Sequence, residues 1–166
     1  GDHCFGLIGL ISTLGMMGRT QPLHIYAHGD LEKLLRPWLD YHCQDLSYEL
    51  VFHTINPRKR EVIFEDRTLT IETIPLKHKV PTCGFLFTEH HRDTEPRKRY
   101  AYCSDTAYRE KIVEQIAGVD VLYHEATYTE KDADKCKKYT HSTAKHAAQI
   151  AKLAEAGKLI IGHFSA

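Results

Sequence analysis

Strand-like and helix-like segments alternate along most of this sequence. β-branched and aromatic residues mark eight short segments that predict strands: 23–27, 48–55, 61–64, 69–74, 83–88, 100–103, 119–123 and 159–161. Apolar residues predict helices at 5–17, after Gly29, at 109–117, and from a cap at Ser142 or Thr143 to Gly157. The helix at 5–17 is apolar nearly all round, so we expect it to be buried. Interleaved helices and strands favour an α/β fold, and 166 residues fit one domain spanning 1–166.

Composition argues against several classes of protein. Lys and Arg number 22, as do Asp and Glu, so a net charge of +0 provides no field that attracts nucleic acid or anionic membranes to the whole molecule. The apolar run at 5–17 is too short, and too interrupted by glycine, to span a membrane. Five scattered cysteines with no C-x-x-C pair indicate neither a disulfide framework nor a thiolate zinc site. We therefore expect a cytoplasmic protein without a membrane partner.

Histidine is unusually common, with 12 residues against 6 Phe and 1 Trp. Polar residues stand at or shortly after the ends of several predicted strands: His78, Asp105, His124 with Glu125, and His163. In layered α/β folds the loops at strand ends converge on the ligand-binding cleft. Imidazole and carboxylate are ligands of catalytic zinc, although a polar residue at a strand end more often caps or hydrogen-bonds the core. The residues alone leave both interpretations open.

Six short motifs occur in an order that resembles the ribonuclease Z family of the metallo-β-lactamase superfamily. They are Gly1-Asp2-His3, Pro75-Leu76-Lys77-His78 with Gly84-Phe85, Ser104-Asp105-Thr106, His124-Glu125-Ala126-Thr127, His141-Ser142-Thr143 and Gly162-His163-Phe164-Ser165-Ala166. The resemblance covers nearly the whole chain. It implies a partial chain of the αβ/βα four-layer sandwich. It also implies a cytoplasmic, homodimeric endoribonuclease that removes the 3′ trailer of precursor tRNA, leaving a 3′-hydroxyl on the tRNA and a 5′-phosphate on the trailer.

The resemblance also implies two zinc ions per subunit, with Mn²⁺ or Mg²⁺ as possible substitutes. Asp2 and His3 would bind one zinc ion, His78 the other, and Asp105 would bridge both. His163 would bind the same ion as Asp2, and Asp2 would also act as the general base. Two metal ions that share a carboxylate can activate water and neutralise charge on a phosphodiester, so the set is chemically coherent. The alternative for each residue is a helix or strand-end cap.

Four further residues are candidates for catalytic or substrate-binding roles. His141 is the candidate proton donor to the leaving 3′-oxygen, because an imidazole ordinarily titrates near neutral pH, and Glu125 would support it. Purely structural roles are the alternative for both. Thr106 and Ser142 could donate to a phosphate or cap a helix, and the same hydroxyl serves either role.

The chain departs from the family pattern in three places. The two histidines of the H-x-H-x-D-H motif would precede Gly1, and the family continues beyond Ala166 with Arg-Tyr and a closing helix. Only 89–99 stands where the family inserts a long flexible arm that clamps tRNA. We expect an incomplete chain rather than a shortened protein. The functional alternatives are another phosphodiesterase or hydrolase of the superfamily, or a non-catalytic RNA-binding protein if the truncation is real.

Overall fold

The computed structural model describes residues 3–90 and 98–165. The chain divides into two compact units, one ending at Ile55 and the other beginning at Asn56. Asp2, Ala166 and most of the predicted arm position at 89–99 lie outside the described residues. The prediction of one domain over 1–166, with its arm, stays a prediction. No helix in the described ranges is long and apolar enough to cross a membrane.

The first unit contains two helices and a two-stranded sheet. Helix α1 (Phe5–Met16) is followed by β1 (Leu23–Ala27), α2 (Asp30–His42) and β2 (Leu50–Thr54). Strands β1 and β2 are parallel, and α2 forms the crossover that parallel strands require. The prediction of both helices and of β1 is confirmed. A core of five buried side chains holds the unit together: Ile11, Ile25, Leu35, Leu39 and Tyr48.

The prediction that the first helix is buried is wrong for most of α1. Of its side chains only that of Ile11 is buried, while Phe5 is 72% exposed and Met16 is 80% exposed. The apolar pattern extends round the helix, but a helix packs against its neighbours along one stripe. In α1 that stripe contains Ile11, whose carbonyl accepts a hydrogen bond of 2.7 Å from the buried Tyr48 hydroxyl.

The second unit is a six-stranded mixed sheet whose strands lie in chain order. The strands are β3 (Val62–Glu65), β4 (Leu69–Pro75), β5 (Cys83–Glu89), β6 (Arg99–Cys103), β7 (Val121–Glu125) and β8 (Lys158–Gly162). Neighbours are antiparallel from β3 to β6 and parallel from β6 to β8. The carboxyl ends of β6, β7 and β8 therefore meet at one edge of the sheet.

Three helices lie in the two crossovers of this sheet. They are α3 (Val113–Ile116), α4 (Ala133–Tyr139) and α5 (Ala144–Leu153). The helix predicted at 109–117 is a 3₁₀ turn at Glu110–Ile112 followed by the single turn of α3. The core of the second unit includes Ile74, Leu86, Ile116, Leu122 and Ile150.

Helix α5 begins as predicted but ends earlier. Thr143, rather than Ser142, is the N-cap: its hydroxyl accepts from the His146 backbone N–H, and the His146 ring accepts from the Thr143 N–H. The helix was predicted to run to Gly157, but it ends at Leu153, and Glu155 takes a positive φ of 51°. Gly157 lies against the Asp120 backbone instead, where a Cβ atom would come within 2.9 Å of the carbonyl oxygen.

Candidate active site

The carboxyl ends of the parallel strands bring together most of the predicted site residues of the second unit. Asp105 follows β6, Glu125 ends β7, and His163 follows β8. His141 lies in the loop between α4 and α5, and its ring centroid is 5.4 Å from that of His163. The His78 ring is 5.0 Å from the same His141 ring, so His141 lies between two predicted metal ligands.

The backbone at this edge is held in an uncommon conformation. Asp105, Thr140 and His163 have φ angles of 58°, 60° and 60°, in the left-handed region that non-glycine residues rarely adopt. Such conformations cost of order 1–3 kcal/mol each and persist where the surrounding structure fixes them. Three of the four non-glycine residues with positive φ in the described ranges thus lie at this edge.

His163 and Asp105 form the shortest contact between predicted metal ligands of this unit. The Nε2 atom of His163 lies 3.0 Å from Oδ1 of Asp105. Its Nδ1 atom is 2.9 Å from the Thr127 hydroxyl, which itself donates to Glu125 Oε2 at 2.5 Å. Because a hydroxyl has one proton, the Thr127 oxygen must accept from His163, which places the ring proton on Nδ1. The Nε2 lone pair then faces the Asp105 carboxylate.

His78 is oriented in a similar way by Thr140. Its Nδ1 atom lies 3.0 Å from the Thr140 carbonyl oxygen, which can only accept. The proton of the neutral ring is therefore on Nδ1, and Nε2 carries the lone pair. The Thr140 hydroxyl accepts from the Lys79 backbone N–H at 3.1 Å, which fixes the same segment a second time. Bonds of this type set the tautomer of metal-binding histidines.

Glu125 is the most completely bonded carboxylate of the site. Its side chain is fully buried, and its Oε1 accepts from the Thr106 N–H at 2.7 Å and from His141 Nδ1 at 2.8 Å. Its Oε2 accepts from the Ser142 N–H at 3.0 Å and from the hydroxyl and N–H of Thr127. Burial alone would raise the pKa of Glu125, but the bonds from Ser142, Thr127 and His141 outweigh it and lower the pKa below 4.5.

Thr106 and Ser142 are fully buried, and each hydroxyl donates inside the protein. The Thr106 hydroxyl donates to the Ala107 carbonyl at 2.8 Å, and the Ser142 hydroxyl donates to the Thr106 carbonyl at 2.7 Å. Contact of either residue with substrate stays a prediction, and the observed bonds favour the structural alternative. His3 belongs to the first unit, in the exposed turn before α1, and its role as a metal ligand stays a prediction.

Thr127 and Thr140 were not predicted as site residues. Thr127 belongs to the His124-Glu125-Ala126-Thr127 motif, whose spacing was the available signal. Thr140 lies in no motif, and its contact with His78 joins segments that are distant in sequence. Only the folded chain brings Thr140 and His78 together.

The donor atoms fit a metal ion. His163 Nε2 and Asp105 Oδ1 lie 3.0 Å apart, a separation at which an imidazole nitrogen and a carboxylate oxygen can both bind one metal ion. Glu125, His141 and His163 also offer ligand atoms within 4.8 Å of one another. The oxygens of Glu125 are already occupied by protein donors, however, so Asp105 is the better carboxylate ligand. Imidazole and carboxylate are ligands typical of zinc.

Solved structures share this fold. The crystal structure of the short form of human tRNase Z has a TM-score of 0.84 and 25% sequence identity, over 97% of this chain and 68% of that chain. The long form of ribonuclease Z from yeast has a TM-score of 0.82 at 16% identity, over 97% of this chain and 27% of that chain. The second similarity supports the fold alone.

Sequence comparison agrees with the structural match. The model of the beta-lactamase superfamily domain matches residues 1–164, so the chain has the α/β fold of the metallo-β-lactamase superfamily, as predicted. Ribonuclease Z of Phocaeicola vulgatus is 44% identical over 209 residues, covering 100% of this chain and 68% of that protein. Ribonuclease Z of Porphyromonas gingivalis is 38% identical over 208 residues, covering 99% and 68%. The chain belongs to the ribonuclease Z family.

The alignments also bear on the length of the chain. This chain spans about two thirds of the length of these relatives. The first alignment extends over 209 positions although the chain has 166 residues, so the aligned part of the relative contains residues with no counterpart here. That difference is compatible with the shortened segment predicted at 89–99.

Proposed function

We propose that this chain is the catalytic part of a zinc-dependent endoribonuclease that removes the 3′ trailer from precursor tRNA. The products would be a tRNA with a 3′-hydroxyl and a trailer with a 5′-phosphate. The observation that carries the proposal is the position of His163 Nε2 and Asp105 Oδ1, two ligand-type atoms 3.0 Å apart at the carboxyl edge of the sheet. Family membership supports the substrate, since the relatives are named for this ribonuclease and for tRNA.

The proposed ligands follow the family motif. Asp105 would bridge two zinc ions, His163 would bind one of them with Asp2 and His3, and His78 would bind the other. The neutral rings of His78 and His163 each have Nδ1–H committed to a protein oxygen, which leaves Nε2 as the ligand atom. The chemistry that such a metal pair supplies is Lewis acidity, which activates water and neutralises charge on a phosphodiester.

Two protonation roles fall to side chains of this chain. Asp2 would accept the proton of the attacking water at its carboxylate. His141 would deliver a proton from Nε2 to the leaving 3′-oxygen, because its Nδ1–H is already committed to Glu125 Oε1 at 2.8 Å. The lowered pKa of Glu125 keeps that carboxylate ionised at neutral pH, where it accepts the bond from His141 Nδ1 and fixes the orientation of the ring. Glu125 thus acts through His141 as a positioning residue.

Three further parts of the proposal rest on the family resemblance. The working enzyme would be a cytoplasmic homodimer with two zinc ions in each subunit, and Mn²⁺ or Mg²⁺ could replace zinc. Precursor tRNA would be its partner. The arm predicted at 89–99 would contribute to the grip on tRNA.

The test is cleavage of a 3′-extended precursor tRNA by the purified protein, with both product ends mapped and bound metal counted. We expect cleavage just beyond the discriminator base. Asp105→Ala should lose bound metal and nearly all turnover, because it removes the shared ligand. His141→Ala should retain the metal but slow single-turnover cleavage, because only the proton donor is lost. His42→Ala, an exposed histidine of the first unit, is the matched control and should behave as wild type.

Two results would contradict the proposal. Full metal content in Asp105→Ala would remove the bridging role, and an unchanged single-turnover rate in His141→Ala would remove the proton donor. A wild-type protein that binds zinc and cleaves a small phosphodiester but no precursor tRNA would be a different phosphodiesterase of the superfamily. RNA binding that is indifferent to chelators and to Asp2→Ala, without cleavage, would indicate a binding protein.

A further inference from the structure

The end of α4 presents an exposed aromatic ring beside two lysines. Tyr139, the last residue of the helix, is 38% exposed. The ammonium groups of Lys79 and Lys138 lie over its ring, 5.0 Å and 5.1 Å from the centroid. We call these three residues the Tyr139 platform. Lysines near a helix C-terminus complement the helix dipole, which would explain Lys138 but not Lys79, which comes from another segment.

The Tyr139 platform is joined directly to the candidate active site. Thr140 follows Tyr139, and its carbonyl accepts from His78 while its hydroxyl accepts from the Lys79 N–H. Thr140 therefore orients the His78 ring through its carbonyl and holds the Lys79 backbone next to Tyr139 through its hydroxyl. On the other side, the Tyr128 ring lies 6.4 Å from Tyr139 and 6.3 Å from His141. A ligand on the platform would thus be a neighbour of the reacting groups.

The charge of the platform suits an anionic ligand. Within the described chain, no carboxylate lies at ion-pair distance from Lys79 or Lys138, whereas Lys135 on the same helix is paired with Asp132 at 2.8 Å. The chain as a whole has a net charge of +0, so this basic group is a local feature. A nucleotide with an unpaired base suits such a group: the base can displace an exposed lysine side chain from the ring and stack there, while the phosphate meets the ammonium group.

We propose that the Tyr139 platform is a subsite for an unpaired nucleotide of the RNA substrate next to the scissile bond. The inference rests on the proposed function and adds a binding position to it. Stacking on tyrosine and contact of lysine with phosphate do not depend on base identity. The subsite would therefore accept a nucleotide with any base. That nucleotide would lie on one side of the cleaved bond, as either the first nucleotide of the trailer or the unpaired 3′ end of the tRNA.

Steady-state cleavage of precursor tRNA tests the subsite. Tyr139→Ala should raise KM by about tenfold, while Tyr139→Phe, which keeps the ring, should stay within about twofold of wild type. Lys79→Gln should reduce the slope of log affinity against log salt by about 0.7, the value for one phosphate contact with a single strand. Lys111→Gln, an exposed lysine away from the platform, is the matched control and should change neither quantity.

A second substrate separates loss of binding from damage to the active site. Turnover of bis(p-nitrophenyl) phosphate and the bound-metal content should be unchanged in Tyr139→Ala, because this small phosphodiester lacks the nucleotide that the platform is proposed to bind. Equal losses on both substrates would mean that Tyr139 only supports His78 through Thr140, which would overturn the proposal. An unchanged KM for precursor tRNA in Tyr139→Ala would also overturn it.

Two further experiments locate the bound nucleotide and distinguish failure of the subsite from failure of the proposed function. If the KM effect disappears for a precursor with a single-nucleotide trailer, the platform binds the trailer beyond its first nucleotide, which would overturn the proposed position next to the scissile bond. If the effect persists, the platform holds the unpaired nucleotides at the cleavage point. Fluorescence anisotropy with a labelled, unpaired RNA oligonucleotide measures binding without cleavage. Weaker binding by Tyr139→Ala would support the subsite even for a wild-type protein that cleaves no tRNA, and equal binding would refute it.

Discussion

Replacing Glu125 with glutamine tests the hydrogen-bond network on which the site depends. The change keeps the shape of the side chain but replaces one carboxylate oxygen with an NH₂ group. If NH₂ takes the place of Oε1, it faces the Thr106 N–H, and if it takes the place of Oε2, it faces the Ser142 N–H. Both partners are backbone N–H groups, which can donate a hydrogen bond but cannot accept one. Neither orientation of the amide can therefore satisfy every donor around it.

The magnitude follows from those contacts. A buried donor left without an acceptor costs about 1–3 kcal/mol, and bonds to a charged group contribute more than bonds to a neutral one. For the fully buried Glu125 we expect a loss of about 3 kcal/mol in the free energy of unfolding, a large part of the 5–15 kcal/mol typical of a domain. His141 would also lose its charged partner, so single-turnover cleavage should slow although the metal ligands are intact.

Urea unfolding followed by far-UV circular dichroism measures this loss at neutral pH. The only tryptophan, Trp38, lies in the first unit, so its fluorescence would not report on Glu125 directly. Glu130→Gln removes one exposed carboxylate from the second unit and is the matched control, with an expected change within about 0.5 kcal/mol. A loss below about 1 kcal/mol in Glu125→Gln would refute the argument that the amide leaves a backbone donor unpaired.

The same pair of proteins has an expected pH dependence. The pKa of Glu125 is lower in the folded protein than the ordinary value of 4.5, because its bonds from Ser142, Thr127 and His141 outweigh burial. Its ionised form therefore stabilises the fold above pH 4.5, and that contribution is lost as the pH falls through the folded pKa. Because glutamine does not titrate, the difference between wild type and Glu125→Gln should narrow below pH 4.5. A difference that widens on acidification would contradict the assigned direction.

Three other predictions concern the second unit. Thr143→Ala removes the capping hydroxyl of α5 and should lower the free energy of unfolding by about 1 kcal/mol, measured by urea unfolding; no change would exclude the cap. Burial raises the pKa of Cys103 to about 12, so peptide mapping after iodoacetamide treatment should find it unmodified in native protein and modified in urea. Gly84→Ala would drive a Cβ into the Tyr102 carbonyl and should cost about 2 kcal/mol, whereas Gly6→Ala, with open space, should not destabilise.

The strands were easier to predict than the helices of the second unit. Strand β1 has the predicted bounds, Leu23–Ala27, because a proline precedes it and Gly29 follows shortly after its end. Helix α4 was not predicted, since Cys136 is its only buried residue and its sequence has no apolar stripe. Its position depends on contacts with the loop that contains His141 and with the segment around Lys79, and a local pattern does not report such contacts.

The residues at the carboxyl edge could be found from sequence, but the state of each ring nitrogen could not. The motifs predict His78 and His163 as ligands, and neither motif indicates which nitrogen carries the proton. The tautomer of His163 depends on Thr127, whose single proton goes to Glu125 and leaves its oxygen as an acceptor. The tautomer of His78 depends on the carbonyl oxygen of Thr140, which accepts from Nδ1. Because these partners come from other segments, the fold determines which nitrogen is available as a ligand.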